Sequence, residues 1–118
     1  MADAFTDYDA ARLPGAVVAY LDARDAQRYD GAAAVFAADA VVLDEGKTHE
    51  GLAAIAEWIT QSSTEWSYTS TRLGQQLVDE RHVNVLVRID GNFPGGTATL
   101  RYRFELDGGL VRRLAIGS

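Results

Sequence analysis

The sequence contains no cysteine and only two prolines among its 118 residues. Without cysteine, disulfides, thiolate catalysis and cysteine-ligated zinc are excluded. No apolar run approaches the roughly 20 residues that a membrane-spanning helix needs, so we expect no contact with a membrane. The acidic N-terminus, residues 1–15, lacks the basic and apolar regions of a signal peptide, which predicts a cytoplasmic location.

Positive charge is also scarce in this chain. Eleven basic residues stand against seventeen acidic ones, which gives a formal net charge of −6 and a pI of about 4.7. Such a surface repels a phosphate backbone, so no nucleic-acid partner is predicted. His49 and His82 lie far apart with no spaced carboxylates, and we therefore expect neither a metal ion nor another cofactor.

Helical spacing fills the first half of the chain, which we interpret as the start of one domain spanning residues 1–118. The first predicted helix has a stripe at i, i+4, i+7, i+8 and i+11, formed by Leu13, Val17, Tyr20, Leu21 and Arg24. Asp30 is a plausible N-cap for a second helix over residues 31–40. A third is predicted from Leu52 to about Ile59, burying Leu52, Ile55, Trp58 and Ile59.

The second half alternates apolar and polar residues, the period of β-strands. We predict strands within residues 65–78, 82–90, 97–106 and 110–116, joined by hairpin loops at 79–82, 91–96 and 107–109. Helices followed by hairpin-linked strands indicate an α+β domain. A curved, mainly antiparallel sheet wrapped around N-terminal helices forms a cone, and such a cone leaves a central pocket.

Three segments carry a family resemblance: residues 20–46, with "FAADA" at 36–40; "GLAAIAEW" at 51–58; and "GNFPGGTATLRYRFELDGGLVRRLAI" at 91–116. Their order, from about residue 13 to 116, resembles the nuclear transport factor 2-like superfamily, in its SnoaL-like and ketosteroid-isomerase-like branch. The resemblance implies a cystatin-like cone. That superfamily includes isomerases, polyketide cyclases, dehydratases and non-catalytic modules, so the fold alone does not choose a function.

Comparison with the isomerases implies roles for three positions. A tyrosine on the first helix matches Tyr20, which would polarise the substrate oxygen, and the aspartate base matches Asp44. The alternative for Tyr20 is a core aromatic whose hydroxyl bonds to a backbone carbonyl or to water. The second oxyanion donor matches Leu100, which cannot donate a hydrogen bond. This departure argues against steroid isomerisation itself, since one such donor contributes about 3 kcal/mol of barrier lowering.

Asp44 ends the short apolar run of the segment "AVVLDEGKTHEG", residues 40–51. A carboxylate at a strand end inside an apolar cavity suits a general base. The alternative is that Asp44 faces solvent and accepts hydrogen bonds in the turn at Gly46. His49 follows across that turn, where it would form a proton relay with Asp44 or remain an ordinary loop histidine.

Aromatic residues would supply the wall of the pocket. The predicted ligand-pocket residues are Trp58, Tyr68, Leu100 and Tyr102, with Trp66 and Phe93 as further candidates. Plain core packing and dimer contacts are the alternatives for these aromatics. The opposite face of the sheet, with Thr97, Thr99, Arg101 and Arg103, would pair with a second copy, as the resemblance implies.

Two hypotheses follow for function. In the first, the cone binds a small apolar, carbonyl-containing molecule, and Asp44 abstracts a proton next to the carbonyl, as an isomerase, polyketide cyclase or dehydratase-like lyase would. In the second, the protein is a non-catalytic ligand-binding or dimerisation module, and Asp44 only holds the turn.

Overall fold

The computed structural model of the protein describes residues 5–65 and 68–117. The helices are α1 (Gly15–Asp25), α2 (Tyr29–Ala33) and α3 (Leu52–Glu65), preceded by one 3-10 turn, Ala10–Arg12. The strands are β1 (Thr6–Asp7), β2 (Phe36–Asp44), β3 (Lys47–Glu50), β4 (Tyr68–Leu77), β5 (His82–Gly91), β6 (Thr97–Asp107) and β7 (Leu110–Gly117). None of the helices in these ranges is long and apolar enough to cross a membrane.

The described strands form one open, curled sheet in the order β1-β4-β5-β6-β7-β2-β3. Neighbouring strands are antiparallel except β2 and β7, which run parallel. The predicted α+β fold class and its antiparallel-rich sheet are therefore confirmed. In the parallel pair, β7, the last strand of the hairpin series, lies beside β2, the strand that follows the first two helices.

The core lies between the helices and the concave face of the sheet. Tyr20, on α1, is 1% exposed and meets Phe36 and Phe104 edge-on, with ring centroids 5.6 and 5.8 Å apart. On α1 the predicted stripe is confirmed, since Val17, Tyr20 and Leu21 are buried and Arg24 is half-buried. Leu13 is also buried, but it precedes the helix, which begins at Gly15. Burial of these apolar side chains supplies most of the favourable free energy of folding.

A short second helix is present as predicted, but its predicted bounds, residues 31–40, were wrong. Helix α2 ends at Ala33, and Phe36 already begins β2, which pairs with Val111 of β7. The alanines of this segment favour a helix, but pairing with β7 outweighs that intrinsic propensity. Asp30 is also not the N-cap, because α2 starts at Tyr29 after Arg28.

The third helix was predicted too short, and Leu52 is 41% exposed rather than buried. Ile55, Trp58 and Ile59 are buried as predicted. Polar residues continue the helix to Glu65, beyond the point where the apolar period stops. Trp66, a predicted wall residue, lies outside the described residues.

Strand β3 was not predicted. Glu45 and Gly46 both have positive φ, 53° and 75°, and join β2 to β3 as a two-residue hairpin. Positive φ at both central residues is the requirement of a type I′ turn, whose twist matches that of paired strands. The hairpin places Asp44 opposite Lys47 at the end of the sheet.

Gly74 allows β1 to reach the sheet. It lies at a bulge in β4 and pairs with Asp7 of β1. A Cβ atom at this position would lie 2.8 Å from the backbone carbonyl oxygen of Thr6, which is closer than real contacts allow. A hydrogen atom in place of a side chain is therefore needed for β1 to pair at this edge.

We expect Gly74→Ala to push β1 away from β4 and to cost about 1–3 kcal/mol of stability. Hydrogen exchange should then accelerate at whichever of the Thr6 and Asp7 backbone amides points toward β4. Gly15→Ala is the matched control, because a Cβ there meets nothing within 4 Å. It should leave stability unchanged or slightly higher. Unchanged exchange at Thr6 and Asp7 in Gly74→Ala would contradict this account of the edge.

Candidate functional site

A cavity of about 640 Å³ opens at one end of the cone. It lies where β2 and β7 end, where β4 and β6 begin, and beside the loop at residues 92–96. Its wall is mixed aromatic, aliphatic and charged, and includes Arg24, Asp44, His49, Trp58, Tyr68, Ile89, Phe93, Leu100, Tyr102 and Ile116. This volume is in the range of sites for drug-sized ligands.

Asp44 lies in the wall of this cavity, at the last position of β2, and is half-buried. Its Oδ2 atom accepts a hydrogen bond of 3.0 Å from the indole Nε1 of Trp58. That bond crosses from strand to helix, because Trp58 belongs to α3. A carboxylate held by a ring N–H has a defined orientation, and it remains a proton acceptor for a bound molecule.

His49 reaches the same cavity from β3. Its ring packs against Trp58, with centroids 5.8 Å apart and a tilt of 32°. Among the described residues, no hydrogen bond joins His49 to Asp44. The structure therefore brings both predicted residues to one wall through Trp58, and the proposed Asp–His relay stays a prediction.

Tyr20 is placed differently from the other predicted site residues. It does not line the large cavity and instead borders a separate void of about 20 Å³, room for about one water molecule. Its hydroxyl accepts a hydrogen bond of 3.1 Å from an Arg24 guanidinium nitrogen. Burial raises the pKa of Tyr20 to about 12, so the phenol is neutral near pH 7.

Arg24 is the site residue that the sequence interpretation missed. With Tyr68 and Tyr102 it lines both the large cavity and the small void, so these three side chains form the partition between the two spaces. Its guanidinium carbon lies 5.1 Å from the ring centroid of Trp58 and 5.8 Å from that of Tyr20. The signal was available, because Arg24 sits one turn after Tyr20 on an otherwise apolar stripe.

The remaining predicted wall residues also meet at this cavity. Tyr68 hydrogen-bonds to Arg24, and Leu100 and Tyr102 extend from β6. Burial raises the pKa of Tyr102, and its proximity to Tyr20 raises that pKa further, so this phenol also stays neutral. The structure thus assembles Trp58, Tyr68, Leu100 and Tyr102 on one surface, while their role in binding stays a prediction.

The outer side of α1 is tied to β4 by Arg72. One guanidinium nitrogen of Arg72 lies 2.8 Å from an Asp22 oxygen and 2.9 Å from an Asp25 oxygen, and the other donates to the Tyr8 hydroxyl at 2.7 Å. Asp25 also accepts a hydrogen bond from Ser70. Although burial lowers the pKa of Arg72, these hydrogen bonds outweigh it and raise that pKa. The last turn of α1, which carries Arg24, is therefore held in place by Arg72 and Ser70 of β4.

His82 lies away from the cavity, at the protein surface. It begins β5, where its ring contacts Asp79 at 2.9 Å and Glu105 at 3.5 Å. Within residues 5–65 and 68–117, no three histidine, aspartate or glutamate side chains come together as metal ligands.

Residues 17–114 match the SnoaL-like domain family, and the chain belongs to that family. A Sinorhizobium meliloti protein, described provisionally as a polyketide cyclase, has a similar fold in its crystal structure. The TM-score is 0.87, and the two sequences are 35% identical over 93% of this chain and all of that one. No curated protein sequence matches this chain.

More distant structures share only the fold. A Catenulispora acidiphila protein with a ketosteroid isomerase-like fold, in complex with trimethylamine, has a TM-score of 0.78 at 18% identity, covering 89% of this chain and 85% of its own. A Mycobacterium tuberculosis protein in complex with estradiol-17β-hemisuccinate has a TM-score of 0.75 at 14% identity, covering 87% and 90%. The family match over residues 17–114 and the 35% identical Sinorhizobium meliloti structure confirm the resemblance to the nuclear transport factor 2-like superfamily.

The hydrogen bond between Trp58 and Asp44 is measurable by a double-mutant cycle. We expect Trp58→Phe and Asp44→Ala to be non-additive by about 1–2 kcal/mol, since the bond has a charged acceptor and is partly exposed. Chemical denaturation of the four proteins measures the coupling. The control cycle pairs Asp44→Ala with Val83→Ala, at the far end of β5, and should be additive within about 0.5 kcal/mol. Additivity in both cycles would refute the bond as a stabilising contact.

Proposed function

We propose that this protein binds a small, largely apolar, carbonyl-containing molecule in the 640 Å³ cavity and that Asp44 acts there as a general base. The observation that carries the proposal is the position of the Asp44 carboxylate, oriented by Trp58 within a wall rich in aromatic and aliphatic groups. A general base needs a fixed direction and access to the bound molecule, and both are supplied here.

The proposed chemistry begins with removal of a proton from a carbon next to the carbonyl group. The C–H electron pair forms the carbon–carbon double bond of an enolate, and the carbonyl π electrons move to oxygen. In a β,γ-unsaturated ketone, protonated Asp44 returns the proton to the γ carbon of the dienolate, which is an isomerisation. In a cyclase the α carbon of the enolate attacks a second carbonyl, whose oxygen takes the proton. In a dehydratase the enolate expels a β-hydroxyl, which leaves as water with the proton from Asp44. The Sinorhizobium meliloti relative described provisionally as a polyketide cyclase supports the cyclase reaction.

Ligand binding can be tested without knowing the substrate. We expect a panel of cyclic and aromatic ketones to include members that raise the melting temperature of the wild type by several degrees, as saturating ligands do. Asp44→Asn should weaken that response. Asp39→Asn is the matched control, because Asp39 is exposed on β2 and does not line the cavity. Equal stabilisation of the wild type and both variants would remove any special role for Asp44 in binding.

Proton abstraction is then measured on the ligands so identified. In deuterated water the wild type should exchange hydrogen for deuterium at the carbon next to the carbonyl, followed by NMR. Asp44→Asn should slow this exchange about 10²–10⁴-fold, the usual contribution of a general base, while Asp39→Asn should not. Ligands that bind to the wild type without exchange would instead indicate a non-catalytic binding module.

We also propose that a second copy packs on the convex face of the sheet. This face is not covered by the helices and combines half-buried Leu86 with exposed Thr99, Arg101 and Arg103 on neighbouring strands. A mixed apolar and polar face of this kind suits an isologous contact, in which each copy uses the same residues.

Light scattering on a sizing column tests this assembly. The wild type should elute with twice the 12.8 kDa mass of the chain. Thr99→Arg should shift the protein to the monomer, because a bulky charge is placed at the middle of the contact. Ala53→Arg, on the exposed side of α3, should remain dimeric. A wild-type monomer at micromolar concentration would exclude the proposed dimer.

A further inference from the structure

We propose that Arg24 binds the negatively charged oxygen of the ligand, so that the cavity selects planar, largely apolar molecules carrying a carboxylate or an enolate-type oxygen. The inference rests on the proposed function and adds to it the class of ligand and a second residue in contact with it. It arises because Arg24 is the half-buried cation of the cavity wall, between aromatic side chains, whereas the other lining cation, Lys47, is exposed.

The contacts of Arg24 hold it in one orientation. Tyr20, one turn earlier on α1, accepts its hydrogen bond at 3.1 Å, Tyr68 hydrogen-bonds to it from β4, and the indole of Trp58 lies under its guanidinium carbon. These three contacts orient the guanidinium, and an arginine fork held in this way is suited to a carboxylate or a delocalised oxyanion.

Trp58 also fixes the arrangement of the two opposite charges in the site. The edge of its indole donates to Asp44, and its face lies 5.1 Å from the guanidinium carbon of Arg24. The carboxylate and the guanidinium therefore flank a single rigid ring, and both border the same cavity. A bound molecule can present a C–H bond to one and an oxygen to the other.

This arrangement gives Arg24 a role in the proposed reaction. When Asp44 takes the proton, the released electron pair ends on the carbonyl oxygen, and the negative charge develops there. A preoriented cation next to that oxygen stabilises the enolate more than the neutral ketone, which is the condition for accelerating the step. Tyr20 accepts a hydrogen bond from Arg24 and orients its guanidinium, which makes Tyr20 a positioning residue.

The test compares two ligands that differ mainly in charge. The fluorescent dye N-phenyl-1-naphthylamine reports occupancy of the cavity, and 2-naphthoate and 2-naphthamide displace it. We expect the wild type to bind 2-naphthoate about tenfold or more tightly than the amide, as a charge-assisted hydrogen bond implies. In Arg24→Gln this preference should fall to about twofold or less, and Arg24→Lys should retain part of it.

Arg112→Gln is the control for loss of one positive charge, since Arg112 is exposed on β7 and does not line the cavity. It should keep the wild-type preference. Equal affinity of the wild type for the two ligands would overturn the inference and leave the binding function standing. A parallel loss of both ligands in Arg24→Gln, with the fold intact by circular dichroism, would also overturn it. Failure of the dye and both ligands to bind to the wild type would instead refute the proposed binding function.

Discussion

The site depends on one side chain, the indole of Trp58, which is 6% exposed between α3 and the end of β2. Tryptophan can donate a hydrogen bond from the edge of its indole while the large π face of the ring contacts a cation. Here the edge meets Asp44, the face lies by Arg24, and His49 packs against the same ring. The end of β2, the end of α1 and strand β3 therefore all contact one rigid ring.

The rest of the fold makes this position available. The parallel pairing of β2 with β7 carries Asp44 to the open end of the cone, next to Ile116, while the bulk of the core is filled by α1, α3 and the valines of β5. The aromatic packing of Tyr20 with Phe36 and Phe104 fills the core beside α1, and the cavity remains where β2 and β7 end.

Much of this could be predicted from sequence, and the failures have physical causes. Strict alternation in residues 82–90 and 97–106 predicted β5 and β6 to within a residue, and the apolar stripe predicted α1. Residues 31–40 misled, because alanine favours a helix in isolation while contact with a strand some 70 residues later decides the outcome. Positions on α1 also depend on tertiary context: Tyr20 and Arg24 share a stripe, yet one faces a filled core and the other a cavity. Periodicity predicts which face of a helix is turned inward, but it does not predict whether that face meets packed side chains or a cavity.

The ion pairs of Arg72 with Asp22 and Asp25 link this interior to the protein surface. They hold the final turn of α1 from its solvent side, and the same turn supplies Arg24 to the partition. Exchange of these surface charges in a related protein would therefore change the position of Arg24, and with it the shape of the cavity, while every lining residue stays the same. The composition of the cavity wall and its shape would then vary independently, through residues on two sides of one helix.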